Sequence, residues 1–194
     1  MKKHLRTAIL MTLVTTVLFG LIYPLAVTGL SQLFFPTQAN GGMIVQHGQI
    51  VGSHLIGQPF SAAWYFHPRP SGAGNGYDPV APSGGASNLG PTNKQLVDRV
   101  KGDVEKLHAE NPSGRIPVDL VTTSGSGLDP EISPAAAEFQ IPRVVRERHM
   151  SETDLRALVA KHTLGRQFGL LGEPRVNVVE LNLELDALHP NNSP

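Results

Sequence analysis

No cysteine occurs among the 194 residues of this chain. A disulfide framework, a thiolate metal site and a thiol nucleophile are excluded together, while the compartment stays open. Any excess of one charge is missing as well: 16 Lys and Arg face 16 Asp and Glu, for a formal net charge of +0. Neither nucleic acid nor an anionic lipid surface is therefore suggested as a partner on electrostatic grounds. There is no G-x-S-x-G elbow, Walker A sequence or kinase set. The histidines, 8 in number, are scattered, and none forms an H-x-H or H-x-x-x-H pair beside a carboxylate. Such spacing gives no support for a metal site, and each reads as a surface or core residue. No internal repeat of about 20–50 residues is present.

The sharpest absence is local. Between Arg6 and Arg69 there is not one Asp, Glu, Lys or Arg. Within that interval, Ala8 to Phe35 is mostly Leu, Val, Ile, Phe, Ala and Thr. As a helix it would be about 42 Å long. Tilt or a protruding outer end would fit it to about 30 Å of hydrocarbon. A cleaved signal peptide has an apolar region of about 7–15 residues before a small-x-small site. This run is longer, and Thr37-Gln38-Ala39 matches such a site poorly. A core helix of this length with no polar face does not suit so small a domain. The segment reads as an uncleaved transmembrane helix, residues 7–35, between a cytoplasmic N-terminus, 1–6, and an extracytoplasmic domain, 36–194. Lys2, Lys3 and Arg6 set that orientation, because positive flanks stay inside. Pro24 is either a lipid-tolerated kink or part of a surface on which Gly20, Thr16, Thr28 and Gly29 admit another helix. The second reading is preferred.

The rest reads as one mixed α+β domain. Ile44-Val45-Gln46 and Gln49-Ile50-Val51 form a hairpin about His47-Gly48. From Gly57 to Pro91 the chain is rich in Gly, Pro, Ser and Asn, with Trp64, Tyr65, Phe66 and Tyr77 interspersed. A stretch this long and irregular is functional or an interaction surface. A helix follows, with Thr92 as cap, Gln95 completing a capping box, and Leu96, Val100, Val104 and Leu107 on one face. It ends near Asn111-Pro112-Ser113-Gly114. Val118 to Val121 is a strand candidate. Ser133 and Pro134 start a helix that Pro142 divides into 134–140 and 143–149. Ser151 and Asp154 cap another. Val176 to Leu185 reads as a strand whose one-residue phase slip marks either a β-bulge or an inner strand buried on both faces.

Two Gly/Ser loops carry the candidate chemistry. Ser83-Gly84-Gly85-Ala86-Ser87-Asn88-Leu89-Gly90-Pro91 leads into one helix, and Ser124-Gly125-Ser126-Gly127 with Leu128-Asp129-Pro130 precedes another. Converging backbone N–H groups at a helix start suit an anion. Against that, such loops also serve as tight turns or as backbone pressed on a partner. Neither has a P-loop Lys, and Asp129 would repel phosphate. Ser124, Gly125, Ser126, Gly127, Asp129, Ser87, Asn88 and Gly90 are thus candidates for nucleotide or partner binding. Arg69, Asp78 and Asp129 could serve a periplasmic enzyme or small-ligand binder. Local hydrogen bonding is the preferred account of these and of Asn88, since no nucleophile or acid–base pair assembles. No catalytic residue and no metal ligand is assigned.

Taken in order, several stretches resemble the C subunit of the high-affinity potassium-transporting (Kdp-type) ATPase. They are Leu21-Ile22-Tyr23-Pro24-Leu25-Ala26-Val27-Thr28-Gly29, Val51-Gly52-Ser53, Leu55-Ile56-Gly57-Gln58, Phe66 through Arg69-Pro70-Ser71, and Tyr77-Asp78. Ser87 to Asn93, Asp119 to Thr122, Ser124 to Pro130, Ile132 to Ala136 and Leu171 to Val178 complete the set. Glu131 departs from the usual His, Thr123 from the usual Ala, and the Ser83–Ser87 loop is one residue longer.

The resemblance implies a non-catalytic accessory subunit of a bacterial potassium-uptake complex, spanning the cytoplasmic (inner) membrane once. Its partners would be a channel-like potassium-binding subunit, a P-type ATPase subunit that becomes phosphorylated, and a small single-span subunit. It further implies no tightly bound cofactor. A catalytic-chaperone role is implied, raising the pump subunit's ATP affinity through a transient ternary complex with ATP. No Asp-Lys-Thr-Gly or Thr-Val-Gly-Tyr-Gly sequence occurs, so this chain is neither the phosphorylated subunit nor the filter. An outer domain cannot meet cytoplasmic ATP, so the expected effect on ATP use passes through the membrane helices.

Overall fold

The computed structural model describes residues 2–81 and 84–188; Ser83, named above, and the last of the histidines, His189, lie outside the described residues. Two compact units meet between Met43 and Ile44.

The first unit is built on one helix, Lys2–Phe34, long and apolar enough to cross a membrane. None of its apolar window is buried in protein, which removes the core-helix reading. It consists of α1 (Lys2–Val17), a π-helical turn (Leu18–Ile22) and α2 (Tyr23–Phe34). The wide turn has a cause two residues on. Pro24 has no N–H and its ring would strike the carbonyl four residues back. The turn before it opens instead, and the Tyr23 N–H donates to the Leu18 carbonyl, five residues back. A short helix, α3 (Pro36–Ala39), follows. It is tied to α2 by Gln32 and Asn40, whose side-chain amides each donate to the other at 3.2 Å.

The second unit is α+β, as its composition implied. β1 (Met43–Gln46) and β2 (Gln49–Ser53) form the hairpin read from the sequence. His47 and Gly48 have φ of 52° and 79°, the paired left-handed geometry that a two-residue hairpin turn demands. α4 (Lys94–Glu110) starts one residue later than expected. Asn93, not Thr92, is the cap, its Oδ1 accepting the Gln95 N–H at 2.8 Å. Val118–Leu120 is a 3-10 turn, not a strand. Asp119 holds it there by accepting from the Ser133 N–H at 2.7 Å and the Ser133 hydroxyl at 3.1 Å.

β3 (Glu131–Ile132) is followed by α5 (Pro134–Arg148), one helix and not the two pieces expected. Pro142 sits on its exposed face, as does Glu138, so the backbone group that Pro142 leaves unpaired faces solvent. Ser133 caps α5 through the Ala136 N–H at 3.0 Å. Ser151 takes the N-cap position of α6 (Glu152–Lys161), without a side-chain capping bond. β4 (Thr163–Leu164) and β5 (Arg175–Asn177) complete an antiparallel sheet of order β3-β5-β4. Ile132 and Thr163 both pair with Val176 across it.

The segment read as one strand is strand only to Asn177; Val178–Leu188 is helix α7. Asn177 turns one into the other, its Oδ1 accepting from the N–H groups of Val179 at 3.0 Å and Glu180 at 3.1 Å. Beyond it, the buried residues Val178, Leu181, Asn182 and Leu185 fall at helical spacing.

Helices α5, α6 and α7 close over the sheet through Ile141, Val144, Leu155, Leu158, Val176 and Leu181. The irregular chain before α4 is strapped to this core by buried polar groups. Asn182 brackets Phe66, accepting its N–H and donating to its carbonyl, both at 2.9 Å. Gln140 does the same for His67, at 2.7 and 3.1 Å. Arg143 donates to the carbonyls of Ala63 and Tyr65 while paired to Glu110 at 2.8 Å.

These straps give the fold an acid-sensitive joint. Burial first, then the charge of Arg143, lowers the pKa of the His67 imidazole from its ordinary 6.5. In that interval the unfolded chain binds a proton that the folded chain refuses. Stability that is full above about pH 6.5 is therefore lost as pH falls. Denaturant midpoints at pH 7 and pH 5 should differ, and His67→Gln should shrink the difference. Below the ordinary carboxylate range a second loss follows, because hydrogen bonds from Lys161 and His162 hold the Glu184 pKa down. Equal midpoints for the parent protein would contradict the His67 account.

Candidate functional site

The Ser124–Pro130 loop is held by residues far away in the sequence. The Arg69 guanidinium donates to Asp129 Oδ2 at 2.9 Å and to the Thr123 carbonyl at 3.4 Å. The other oxygen of Asp129 accepts the Glu131 N–H at 2.9 Å, so both carboxylate oxygens are engaged inside the fold. Tyr77, at φ 57°, donates its hydroxyl to the Arg69 carbonyl at 2.9 Å. Burial, aided by the charge of Asp129, raises the Tyr77 pKa far above its ordinary value, so the phenol remains a neutral donor. Ser71 donates to the Gly127 carbonyl at 2.7 Å and accepts from the N–H groups of Tyr77 and Ala73 at 2.9 and 3.1 Å.

The glycines of the two loops meet one another. A Cβ on Gly85 would lie 1.4 Å from the Ser126 carbonyl oxygen, and one on Gly127 would lie 2.4 Å from that of Gly85. Gly127 also has φ +67°, so both space and backbone demand glycine there. Within the loop, Ser124 Oγ accepts the Gly127 N–H at 2.9 Å and Ser126 Oγ accepts the Leu128 N–H at 3.2 Å. A phosphate cradle needs such amides free and convergent. Here two of them are capped by serines, and the glycines serve backbone-on-backbone packing.

Two open grooves flank the Arg69–Asp129 pair. One, of about 630 Å³, is walled by Leu55, Ile56 and Thr123 to Ser126. The other, of about 520 Å³, carries Asp119, Asp129, Glu131 and Glu173 against Arg69 and Arg175. Four carboxylates against two guanidinium groups make the second groove unfavourable for an anion. Among the described residues, the Ser124 and Ser126 hydroxyls bond to loop atoms, with no base among their partners. Among the described residues, no group of three or more His, Asp or Glu could hold a metal ion.

Of the residues proposed from sequence, Ser124, Gly125, Ser126 and Asp129 line the first groove, while Gly127 packs against Gly85. Ser87, Asn88 and Gly90 do not line it; they form the approach to α4. There Ser87 Oγ accepts from the Leu89 N–H at 3.5 Å, and Asn88, at φ 52°, donates to the Ala86 carbonyl at 3.4 Å. The Asp78 carboxylate accepts the Val80 N–H, two residues on, at 3.0 Å. Gly20 and Gly29 leave the membrane helix bare: a Cβ would meet Thr16 at 3.9 Å in the first case and nothing within 4 Å in the second. Pro24 lies just past the wide turn, beside which Leu13, Val14, Val17, Leu18 and Ile22 line an apolar hollow of about 350 Å³. Gly57, Ser71, Tyr77 and Gly85 belong to the loop cluster but were not singled out beforehand as site residues. Gly57 is required because a Cβ there would lie 2.5 Å from the Tyr77 ring.

This arrangement belongs to a chain with close relatives. The family model described as "K+-transporting ATPase, c chain" matches residues 5–187. A potassium-transporting ATPase KdpC subunit from Koribacter versatilis is 62% identical over 194 residues, covering 100% of both chains. KdpC subunits from Acidobacterium capsulatum and Rhodopseudomonas palustris are 56% and 57% identical, each covering 96% of this chain and 99% of the relative. With a match over nearly its whole length and identities of this size, the chain belongs to the KdpC family, the c chains of K+-transporting ATPases.

Proposed function

We propose that this chain is the non-catalytic, single-span accessory subunit of a potassium-uptake ATPase in a bacterial inner membrane. Its basic N-terminus lies inside and its α+β domain outside. Its partners are a channel-like potassium-binding subunit, a phosphorylated P-type subunit and a small single-span subunit. The observation that carries the reading is the state of the Gly/Ser loops. Gly85 and Gly127 pack on each other's loop and Asp129 is clamped by Arg69, which supports a packing role for these loops over a nucleotide cradle or a catalytic centre. The chain raises the ATP affinity of the pump subunit as a catalytic chaperone, but it does so through the membrane helices and without holding ATP. Its outer domain covers the potassium entrance.

Two measurements test this. Trypsin added to intact spheroplasts should cut the domain, whereas protection of every site until lysis would reverse the orientation. A photoactivatable ATP analogue on the assembled complex should label the P-type subunit alone. Recovery of labelled peptides containing Ser126 would overturn the indirect mechanism.

A further inference from the structure

The chain leaves its membrane helix with little slack. Lys2–Phe34 amounts to about 50 Å of helix. A bilayer with its headgroups measures about 40–45 Å, so a helix starting at one surface ends at headgroup level of the other. Asn40 is bonded by its side chain back to Gln32 near that end. Met43 follows three residues later, a reach of about 10 Å when fully extended. β1 therefore starts close to the bilayer surface.

The hairpin that starts there carries an uncovered apolar face. Met43 is 50% exposed, Val45 58% and Ile50 68%. Met43 and Val45 share one face of β1 by strand alternation, and the two-residue turn sets Ile50 across from Val45. The far end of β2 is rooted in the domain. Ser53 is buried there, and a Cβ on Gly52 would lie 3.0 Å from the Val179 side chain. Just past β2, His54 bonds Glu180 at 2.6 Å, which engages that carboxylate at the root of the hairpin. The hairpin itself contains no Asp, Glu, Lys or Arg, nor does the chain on either side of it between Arg6 and Arg69.

We propose that the Met43, Val45 and Ile50 face of the hairpin rests on phospholipid, at headgroup level of the leaflet in which the membrane helix ends. The proposal rests on the helix crossing the bilayer and is independent of the part played in potassium uptake. The bilayer is the one surface that the chain's own covalent path keeps within reach of this face. Protein interfaces carry a polar rim around an apolar centre. This face lacks a charged rim, which suits the boundary between headgroups and acyl chains. The seat is shallow, because the free backbone groups along the strand edges still need water or headgroup partners. With no Lys or Arg in the hairpin, it does not depend on anionic lipid.

The absence of cysteine lets one fluorophore be placed cleanly. Full-length Gln49→Cys carrying the NBD fluorophore is put into phosphatidylcholine nanodiscs, alone and in the assembled pump. Nitroxide lipids then quench it from either the carbonyl end or the methyl end of the acyl chain. Quenching should be strong from the carbonyl end, weaker from the methyl end, alike in both preparations and unchanged by added phosphatidylglycerol. Val118→Cys, exposed on the same domain, should be quenched by neither. Adding Val45→Ser and Ile50→Ser to the labelled chain should cut the quenching by about threefold or more, since burying one such side chain is worth about tenfold or more in an equilibrium. That comparison removes any affinity of the fluorophore itself for lipid. Quenching that survives the serine variant, or that needs phosphatidylglycerol, overturns the apolar seat. Quenching of the lone chain that vanishes in the pump overturns it too, and assigns the face to another subunit. If the chain does not stay with the nanodiscs, the membrane-helix reading falls as well; if it stays and Gln49→Cys is unquenched, only the lipid seat is lost.

Discussion

Asn182→Ala should lower the stability of the α+β domain by about 3–5 kcal/mol, the largest effect of any single polar truncation proposed for this protein. The Asn182 side chain is 0% exposed, and its amide satisfies both backbone groups of Phe66. Alanine leaves those two groups buried and unpaired, at about 1–3 kcal/mol each, and opens a small cavity. The measurement is urea unfolding of the full chain in detergent, followed by fluorescence of Trp64, its one tryptophan. Asn182→Asp adds a discriminating control. An ionised Asp can accept from the Phe66 N–H but cannot donate to its carbonyl, whereas a protonated Asp does both. This variant should therefore recover part of its loss on acidification, where the parent protein only weakens. A loss below about 1 kcal/mol for Asn182→Ala would show that the strap at Phe66 does not depend on the amide.

Gly85→Ala is the second large effect, and it reports on the candidate site. The added methyl group would overlap the Ser126 carbonyl, a backbone atom that cannot rotate away. Overpacking typically costs about 1–3 kcal/mol. If the loop stays docked the loss should reach about 3 kcal/mol; if it lifts, the Ser124–Pro130 segment is exposed instead. Hydrogen exchange across residues 122–130 detects the lifted case as an acceleration of about tenfold, since each 1.4 kcal/mol is a factor of ten. Gly90→Ala, where a Cβ meets nothing within 4 Å, should change neither quantity. Equal behaviour of the two variants would remove the packing role assigned to Gly85.

The local part of this fold was readable from local chemistry. The apolar run before Pro36, the His47-Gly48 turn and the Ser133-Pro134 helix start each follow from neighbouring residues, and each is found where expected. The misreadings share one origin, in which a side chain from another element decides the backbone. Val118 was read as strand because nothing nearby announces that Asp119 is drawn to Ser133. Val176 to Leu185 was read as strand because Asn177 and Asn182 interrupt the apolar pattern. The first is in fact a helix cap and the second a buried strap. Pro142 suggested a break because its exposure could not be known.

The candidate site divides in the same way. The Ser124–Asp129 loop stands out by composition. Its clamp is a set of contacts spanning more than fifty positions, from Arg69, Ser71 and Tyr77, which no periodicity reveals. The exposure of Val45 and Ile50 left no mark in the sequence at all, since an isoleucine that points outward is written with the same letter as one that points in.

The wide turn at Leu18–Ile22 changes how the membrane helix has to be drawn on a helical wheel. Counted by residue number at about 100° per step, Thr16 and Thr28 would sit about 120° apart. The turn takes up one residue without advancing the spiral, and with that residue discounted the angle closes to about 20°. Both threonines then lie along one side of the rod, with Gly29 a full step off that line. One amino acid could be excised between Leu18 and Ile22 and the two halves would keep their present bearings, whereas the same excision within α1 or α2 would swing everything beyond it to a new azimuth.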